Sequence, residues 1–288
     1  SIDLETDARG ERIHSAALAG PGVEEVLLAL PGENARAALR GATLPCRLLP
    51  CGDERGLLRV LFSRMREIDF DILTGWNVID FDLEVLVARS RALGVPFEVG
   101  RAPGAARVIR ERAFWGRSRA DITGRVVLDG IDLMKSSFIR LEDYRLDTAA
   151  RAVLGEGKVD LGSGNAAAPG RGKAQAIDRA FREDLPLFVE YNLADARLVL
   201  AIQEKTRLVD LAVRRSLLTG MPLDRVGASI ASFDFLYLHD LRRRGFVAPA
   251  VGGEAEAPGA GAPEETVTGG AVLEPIPGLH DNVLAFDF

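Results

Sequence analysis

The sequence is poor in cysteine and histidine, has no long apolar run, and carries no excess of positive charge. Its two cysteines, Cys46 and Cys51, are separated by four residues with no histidine near them and no second pair. They complete no zinc site and read as structural or incidental, and their scarcity suits a reducing cytoplasm. No apolar stretch reaches the roughly 18 residues needed to span a bilayer, and no signal peptide is visible, so no membrane partner is expected. The three histidines, His14, His239 and His280, are scattered and read as structural or surface residues. Lys and Arg number 36 against 42 Asp and Glu, a net charge of −6. That balance excludes a basic nucleic-acid coat. It leaves room for an enzyme that grips only a few nucleotides and brings in its positive charge as bound metal.

What the chain does have is acid in a deliberate place. In Ser1-Ile2-Asp3-Leu4-Glu5-Thr6, Asp3 and Glu5 alternate with Ile2 and Leu4. A strand's side chains alternate between its two faces, so both carboxylates emerge on one side while the aliphatics enter the core on the other. Adjacent like charges raise each other's pKa unless a cation neutralises them. An Asp-x-Glu on a buried strand is therefore a candidate divalent-metal site.

The length of 288 residues suits one large domain or two smaller ones. Alternation predicts three antiparallel strands at Ile2–Thr6, Arg12–Leu18 and Glu24–Leu30, broken by Gly- and Pro-containing turns. Helical spacing of Leu57, Leu58, Leu61 and Met65 predicts a helix over Glu54–Ile68 capped by Asp53. A short buried strand at Asp71–Thr74, a helix at Phe81–Leu93, a strand at Arg125–Leu128 and a helical stretch at Ile131–Ser137 follow. Strands followed by strand-helix alternation indicate an α/β layer fold with a mixed sheet. Beyond Asp143 the pattern turns helical, at Arg145–Leu154, Ala174–Arg182, Pro186–Lys205, Val209–Leu218 and Asp224–Arg243. The segments Gly162–Gly170 and Gly252–Glu265 have loop composition, and a short strand region is expected over Ala271–Phe288.

Two more acidic elements stand out. Gly75-Trp76-Asn77-Val78-Ile79-Asp80-Phe81-Asp82 lies where a short strand hands over to a helix. Asp80 reads as a helix cap, Asp82 has less need of that explanation, and Gly75 and Asn77 allow a tight turn with room for a ligand. Tyr191 and Asp195, four apart in a helix, share one face with Leu198 and Ile202. That face is expected to pack on the sheet and present Tyr191 and Asp195 at its end.

In order and separation the three elements resemble the motifs of the proofreading 3′→5′ exonuclease domain of family B DNA polymerases, nearest to its bacterial members. The residues that carry the resemblance are Asp3-Leu4-Glu5-Thr6, Gly75-Trp76-Asn77 with Phe81-Asp82, and Tyr191-Asn192-Leu193-Ala194-Asp195. Asp129-Gly130 with Lys135-Ser136 and Leu154-Gly155-Glu156-Gly157-Lys158 look like the stretch between them. Gly269–Pro275 and Gly278–Phe288 look like the approach to the polymerase palm, where Asp287 would be a polymerase metal ligand.

The resemblance implies an α/β, ribonuclease-H-like exonuclease fold, a mixed sheet flanked by helices, followed by further helices and the start of a palm. The implied division is exonuclease over 1–220, a helical connection over 221–250, a flexible linker over 251–268 and a truncated palm start over 269–288. Ser1 begins directly in the first strand with no methionine or leader, so the chain reads as a piece of a longer protein; since the other polymerase motifs and the rest of the palm are absent from it, no polymerase activity is expected of this piece.

By the same resemblance Asp3, Glu5, Asp82 and Asp195 would bind two divalent ions, Mg2+ with Mn2+ as substitute, and Tyr191 would orient the nucleophile. Thr6, Asn77 and Phe81 would lie near the terminal nucleotides. The implied partners are the single-stranded 3′ end of primer DNA, the remaining palm, fingers, thumb and amino-terminal domain of the polymerase, and the sliding clamp through the full-length enzyme. The implied setting is the bacterial cytoplasm, associated with the nucleoid. Arg107–Arg112 and Arg242-Arg243-Arg244 read either as solvated faces or as phosphate contacts. The alternative reading is a non-cleaving module that binds single-stranded DNA or docks on a polymerase; against it, no ligand is missing. An RNA-trimming relative is a third reading, and the palm-like tail speaks against that.

Overall fold

Residues 1–110, 118–159, 161, 171–248, 277–279 and 281 are described by a computed structural model. The chain divides into two compact units, Ser1–Asp240 and Leu241–Phe288. The expected loop at 162–170, the linker at 251–268, Asp287 and His280 lie outside the described residues, as does most of the palm-like tail. In the second unit, the described chain from Leu241 to Ala248 includes the exposed Phe246 and Val247.

The three expected strands form. Strand β1 (Ile2–Thr6) pairs antiparallel with β2 (Ile13–Gly20), and β2 with β3 (Val23–Leu28). A fourth strand that the pattern did not announce, β4 (Arg47–Pro50), runs parallel to β3 and makes the sheet mixed. Between them lies α1 (Gly32–Ala38), also unannounced. Helix α2 (Glu54–Ile68) starts where Asp53 accepts the Gly56 amide, as its sequence signalled.

A second, two-stranded parallel ladder joins β5 (Ile72–Gly75) to the later β8 (Val126–Asp129). The helix expected at Phe81–Leu93 begins earlier and in a wider form: a π turn over Val78–Leu83 precedes α3 (Glu84–Leu93). A short hairpin of β6 (Arg107–Ile109) and β7 (Arg119–Asp121) follows, so Arg107 lies on a strand and pairs with Asp121. Then come α4 (Gly130–Lys135), α5 (Leu146–Leu154), α6 (Arg171–Glu183), the long α7 (Leu185–Thr206) and α8 (Leu208–Thr219). The helix expected over Asp224–Arg243 is instead a 3-10 turn at Leu223–Arg225 and α9 (Ser229–Arg243). No helix among the described residues is long and apolar enough to cross a membrane.

The alternation of β1 decides what lies on each side of the sheet. Ile2 and Leu4 join Ile13, Ala16, Leu18 and Leu27 in a core closed by Leu57, Leu58, Leu61 and Phe62 of α2. The opposite face offers Ala17, Ala19, Val26 and Leu28, small enough for α7 to lie against them through Phe188, Val189, Leu193 and Ala196. Each large aliphatic so buried contributes about 1.5–3 kcal/mol of transfer free energy. Further along α7, Val199 and Ile202 turn into a third cluster with α5 and α8. The expectation that α7 packs on the sheet thus holds for its first half, and its second half packs on helices. Because Asp3 and Glu5 point to the α7 side of β1, this stacking delivers the third acidic element to the first.

His14 is buried, pairs through Nε2 with Asp178 of α6 at 2.7 Å and stacks on Phe181, while His239 is exposed. Cys46 and Cys51 are free thiols packed at the edges of two core clusters.

Candidate active site

Strand β1 ends in an irregularity. Glu5 faces Ser15 but Thr6 faces Ile13, so His14 is an extra residue on β2. Such a bulge bends the strand and re-aims the side chains beside it. Asp3 is half-buried and Glu5 buried. Opposite them α7 presents Tyr191, Asn192 and Asp195, all buried. Oxygens of Asp3, Glu5 and Asp195 lie within 4.8 Å of one another. Oδ1 of Asp195 is buried with no hydrogen-bond donor on it among the described residues.

Asp82 arrives from the π turn. It is 2% exposed, and its Oδ1 accepts the Leu4 amide of β1 at 2.9 Å. Burial first, then the charge of Asp3, push its carboxyl well above the ordinary carboxylate range, against the pull of the Leu4 amide. It stands beside Asp3 and outside the tight group of three. Asp80, expected as a cap, caps nothing: it is exposed, and the π turn starts at Asn77 without a side-chain cap. Asn77 takes the left-handed conformation at φ 62°, which makes the tight turn expected of it. Gly75 leaves room for protein, where room for a ligand was expected. A Cβ there would lie 2.7 Å from the Ile2 carbonyl oxygen and 2.8 Å from Val78 Cβ, so β5 approaches β1 this closely only with glycine.

Asp129, at the end of β8, holds the same turn from the other side. It accepts the Ile79 amide through Oδ2 at 3.2 Å and the Ile131 amide through Oδ1 at 2.8 Å, capping α4. Burial raises its pKa to about 6 despite those amides.

Two residues of the site were quoted in the sequence but given no role. Asn192 donates through Nδ2 to Asp3 Oδ2 at 2.8 Å and to the Asp3 carbonyl at 3.2 Å, while its Oδ1 accepts from Ser15 Oγ at 2.7 Å. It therefore fixes the orientation of the first carboxylate. Lys158 is ion-paired with Asp195 and lies 5.6 Å from the centre of the Tyr191 ring. Burial opposes its charge, but Asp195, Asp3 and Glu5 together raise its pKa. A lysine close after a Gly-Glu-Gly run, between two acidic motifs, was the only available signal for it.

The electrostatics set this pocket apart from the other buried acids. Glu25 is neutralised by Arg64 at 2.7 Å and Glu54 by Arg89 at 2.7 Å. Here Asp3, Glu5 and Asp195 converge within 4.8 Å with Asp82 buried beside Asp3, and Lys158 is ion-paired with Asp195. The same charges, after burial itself, drive the Tyr191 phenol upward, so it stays protonated and able to donate a hydrogen bond. The clustered oxygens of Asp3, Glu5 and Asp195 form a group that could hold a metal ion.

The carboxylates open into a cleft of about 760 Å3, walled by the Asp7–Gly10 turn, by Asn77 and Phe81, and by Tyr144, Arg145 and Leu146 before and at the start of α5. Thr6 also lines it, and its hydroxyl donates to the Asp7 carbonyl at 3.1 Å. Phe81 is 40% exposed in the cleft wall and is no core residue. Trp76 donates from Nε1 to the Tyr144 carbonyl at 2.8 Å, tying two walls together. Arg110 is held by Glu84 at 2.7 Å.

Residues 31–149 match the family model described as DNA polymerase family B, exonuclease domain. The whole chain is 34% identical to DNA polymerase II of Escherichia coli K12, covering 34% of that protein. Over 83% of its length it is 26% identical to the DNA polymerase delta catalytic subunit of Caenorhabditis elegans, covering 22% of it. It is also 25% identical, over 83% of its length, to the DNA-directed DNA polymerase of Escherichia phage RB69. The chain thus spans about a third or less of the length of these relatives.

Proposed function

We propose, from the match of residues 31–149 to the exonuclease domain of family B DNA polymerases, that this chain removes mispaired nucleotides from primer 3′ ends in the 3′→5′ direction, releasing deoxynucleoside monophosphates. The observation that carries the reading is the convergence of Asp3, Glu5 and Asp195 within 4.8 Å, with Asp82 beside Asp3. Asp3, Glu5, Asp82 and Asp195 would hold two divalent ions, Mg2+ with Mn2+ as substitute. When bound, these supply what a phosphodiester requires, neutralisation of its charge, activation of water and stabilisation of the leaving oxygen.

The chain's own residues do the rest. Asn192 holds Asp3 in orientation, and Lys158, ion-paired with Asp195, offsets that charge as the phosphate approaches. Tyr191, kept protonated by burial and by the acids around it, donates a hydrogen bond that orients the attacking water. Phe81 offers its exposed ring to the terminal base, and base-aromatic stacking contributes about 1–3 kcal/mol per base. Asn77, exposed, and Thr6, buried in the cleft wall, lie beside the terminal sugar and phosphate. The strand is the single-stranded 3′ end of a primer, delivered by the remainder of a polymerase chain held in turn by a sliding clamp, in a bacterial cytoplasm.

To test this, a 3′-mispaired primer is incubated with the protein in Mg2+ or Mn2+ and the products are separated. Mononucleotides should appear, and Asp3→Ala or Asp195→Ala should abolish them. Undiminished release by either variant would refute the site, and binding of the primer without shortening it would refute the activity.

A further inference from the structure

Six carboxylates line the cleft, Asp3, Glu5, Asp7, Asp82, Asp147 and Asp195, against three cationic side chains, Arg9, Arg145 and Lys158, among the described residues. A DNA strand brings one negative charge per nucleotide into this space. Divalent ions would answer the charge at the scissile phosphate, but the preceding phosphates need a cation of their own. Two of the three candidates are committed: Lys158 is paired with Asp195, and Arg145 with Asp143 at 3.0 Å. The guanidinium of Arg9 has no ion-pair or hydrogen-bond partner among the described residues.

Arg9 is also held in place by its backbone. The β1–β2 turn is cross-braced. The Asp7 carboxylate accepts the Arg9 amide at 3.2 Å and the Glu11 amide at 2.8 Å, the Gly10 amide donates to the Asp7 carbonyl, and the Asp7 amide donates to Arg12. Gly10 closes the turn at φ 69°. The turn continues directly from the strand that carries Asp3 and Glu5, so the distance from Arg9 to the acids is set by a few residues of ordered chain. A planar guanidinium presented this way binds a phosphate through two parallel hydrogen bonds.

We propose that Arg9 is a strand-positioning residue that binds a backbone phosphate upstream of the scissile one, holding the substrate strand against the repulsion of the acidic floor. This rests on the exonuclease reading above. Without it, the strand would still reach the carboxylates but would be retained weakly.

The test compares wild type, Arg9→Ala, Arg9→Lys and Arg59→Ala, the last an exposed arginine of α2 outside the cleft lining. Two substrates are used at fixed Mg2+: a single-stranded oligothymidylate, and the p-nitrophenyl ester of thymidine 5′-monophosphate, which has the scissile linkage and no upstream phosphate. Arg9→Ala should raise KM for the oligomer about tenfold at low salt with kcat little changed, and flatten the dependence of log KM on log salt by about 0.7, the share of one single-strand phosphate. Its turnover of the ester should match that of wild type. Arg9→Lys should recover part of the KM, and Arg59→Ala should behave as wild type throughout. An unchanged KM and salt slope in Arg9→Ala would overturn the proposal, as would a loss on the ester equal to the loss on the oligomer. If wild type hydrolyses neither substrate, the exonuclease reading falls and this inference falls with it.

Discussion

Asn192 on α7 reaches 2.8 Å from Oδ2 of Asp3 on β1, joining the third acidic element to the first across 189 positions of sequence. Its side chain is fully buried and also bonded to Ser15, so every polar atom that it brings into the core is used. Partners that orient metal-binding carboxylates in this way matter almost as much as the ligands themselves.

Asn192→Ala should therefore lower nuclease activity about 10- to 100-fold and raise the Mg2+ concentration for half-maximal rate, with a stability loss of about 1–3 kcal/mol from the unsatisfied Ser15 hydroxyl and the freed carboxylate. Metal titration of the rate checks it. A variant with wild-type metal dependence would show that Asn192 packs the core and nothing more.

Lys158→Met separates the role of the ammonium from that of the metal. In metal-free protein the buried Asp195 would lose its charged partner, and breaking such a pair costs about 3–5 kcal/mol. The melting temperature should fall in chelator, and Mg2+ should restore it more in the variant than in wild type. Equal responses to Mg2+ in the two proteins would mean that Lys158 and the metal do not act on the same carboxylates.

A pH signature follows from Asp129, whose pKa is raised to about 6. A carboxyl whose folded pKa exceeds its unfolded value binds its proton more tightly when folded. Its contribution is fully present below about pH 4 and is lost as pH rises through about 6. The shift of about two units corresponds to about 3 kcal/mol. Chemical denaturation of wild type and Asp129→Asn in chelator, from pH 4 to 7, should show wild-type stability falling by that amount relative to the variant. Parallel curves would rule out the raised pKa.

Gly75→Ala tests the seam between β5 and β1. The new methyl carbon would meet the Ile2 carbonyl oxygen and Val78 Cβ inside van der Waals contact. The backbone has to move, at a cost of about 1–3 kcal/mol, and Asp3, one residue beyond Ile2, moves with it. Thermal melts and nuclease rates should both decline. Unchanged values in both would show that the seam yields without cost.

Much of this was legible in the sequence because local pattern and tertiary need agreed. The Ile2–Thr6 alternation placed Asp3 and Glu5 on one face, and i, i+4 spacing placed Tyr191 above Asp195. β4 went unread because Arg47-Leu48-Leu49-Pro50 has no alternation and carries a proline that only an edge position tolerates. The β6–β7 hairpin has three-residue strands rich in arginine, below what periodicity can register. The π turn was read as the start of an α-helix, since both share the same apolar residues, and only the bond from Asp82 to Leu4 shows which way its side chains point. Asn192, Ser15 and Lys158 matter through partners 37 to 189 residues away, and no local spacing reports such contacts.

The central claim is that Asp3, Glu5, Asp82 and Asp195 together hold a pair of divalent ions. Crystals soaked in Mn2+ and measured for anomalous scattering test it directly. The account expects two peaks among these four side chains, about 3.5–4 Å apart, with Asp82 reaching the second ion. No peak there, or manganese bound elsewhere while the four carboxylates keep their places, would contradict it.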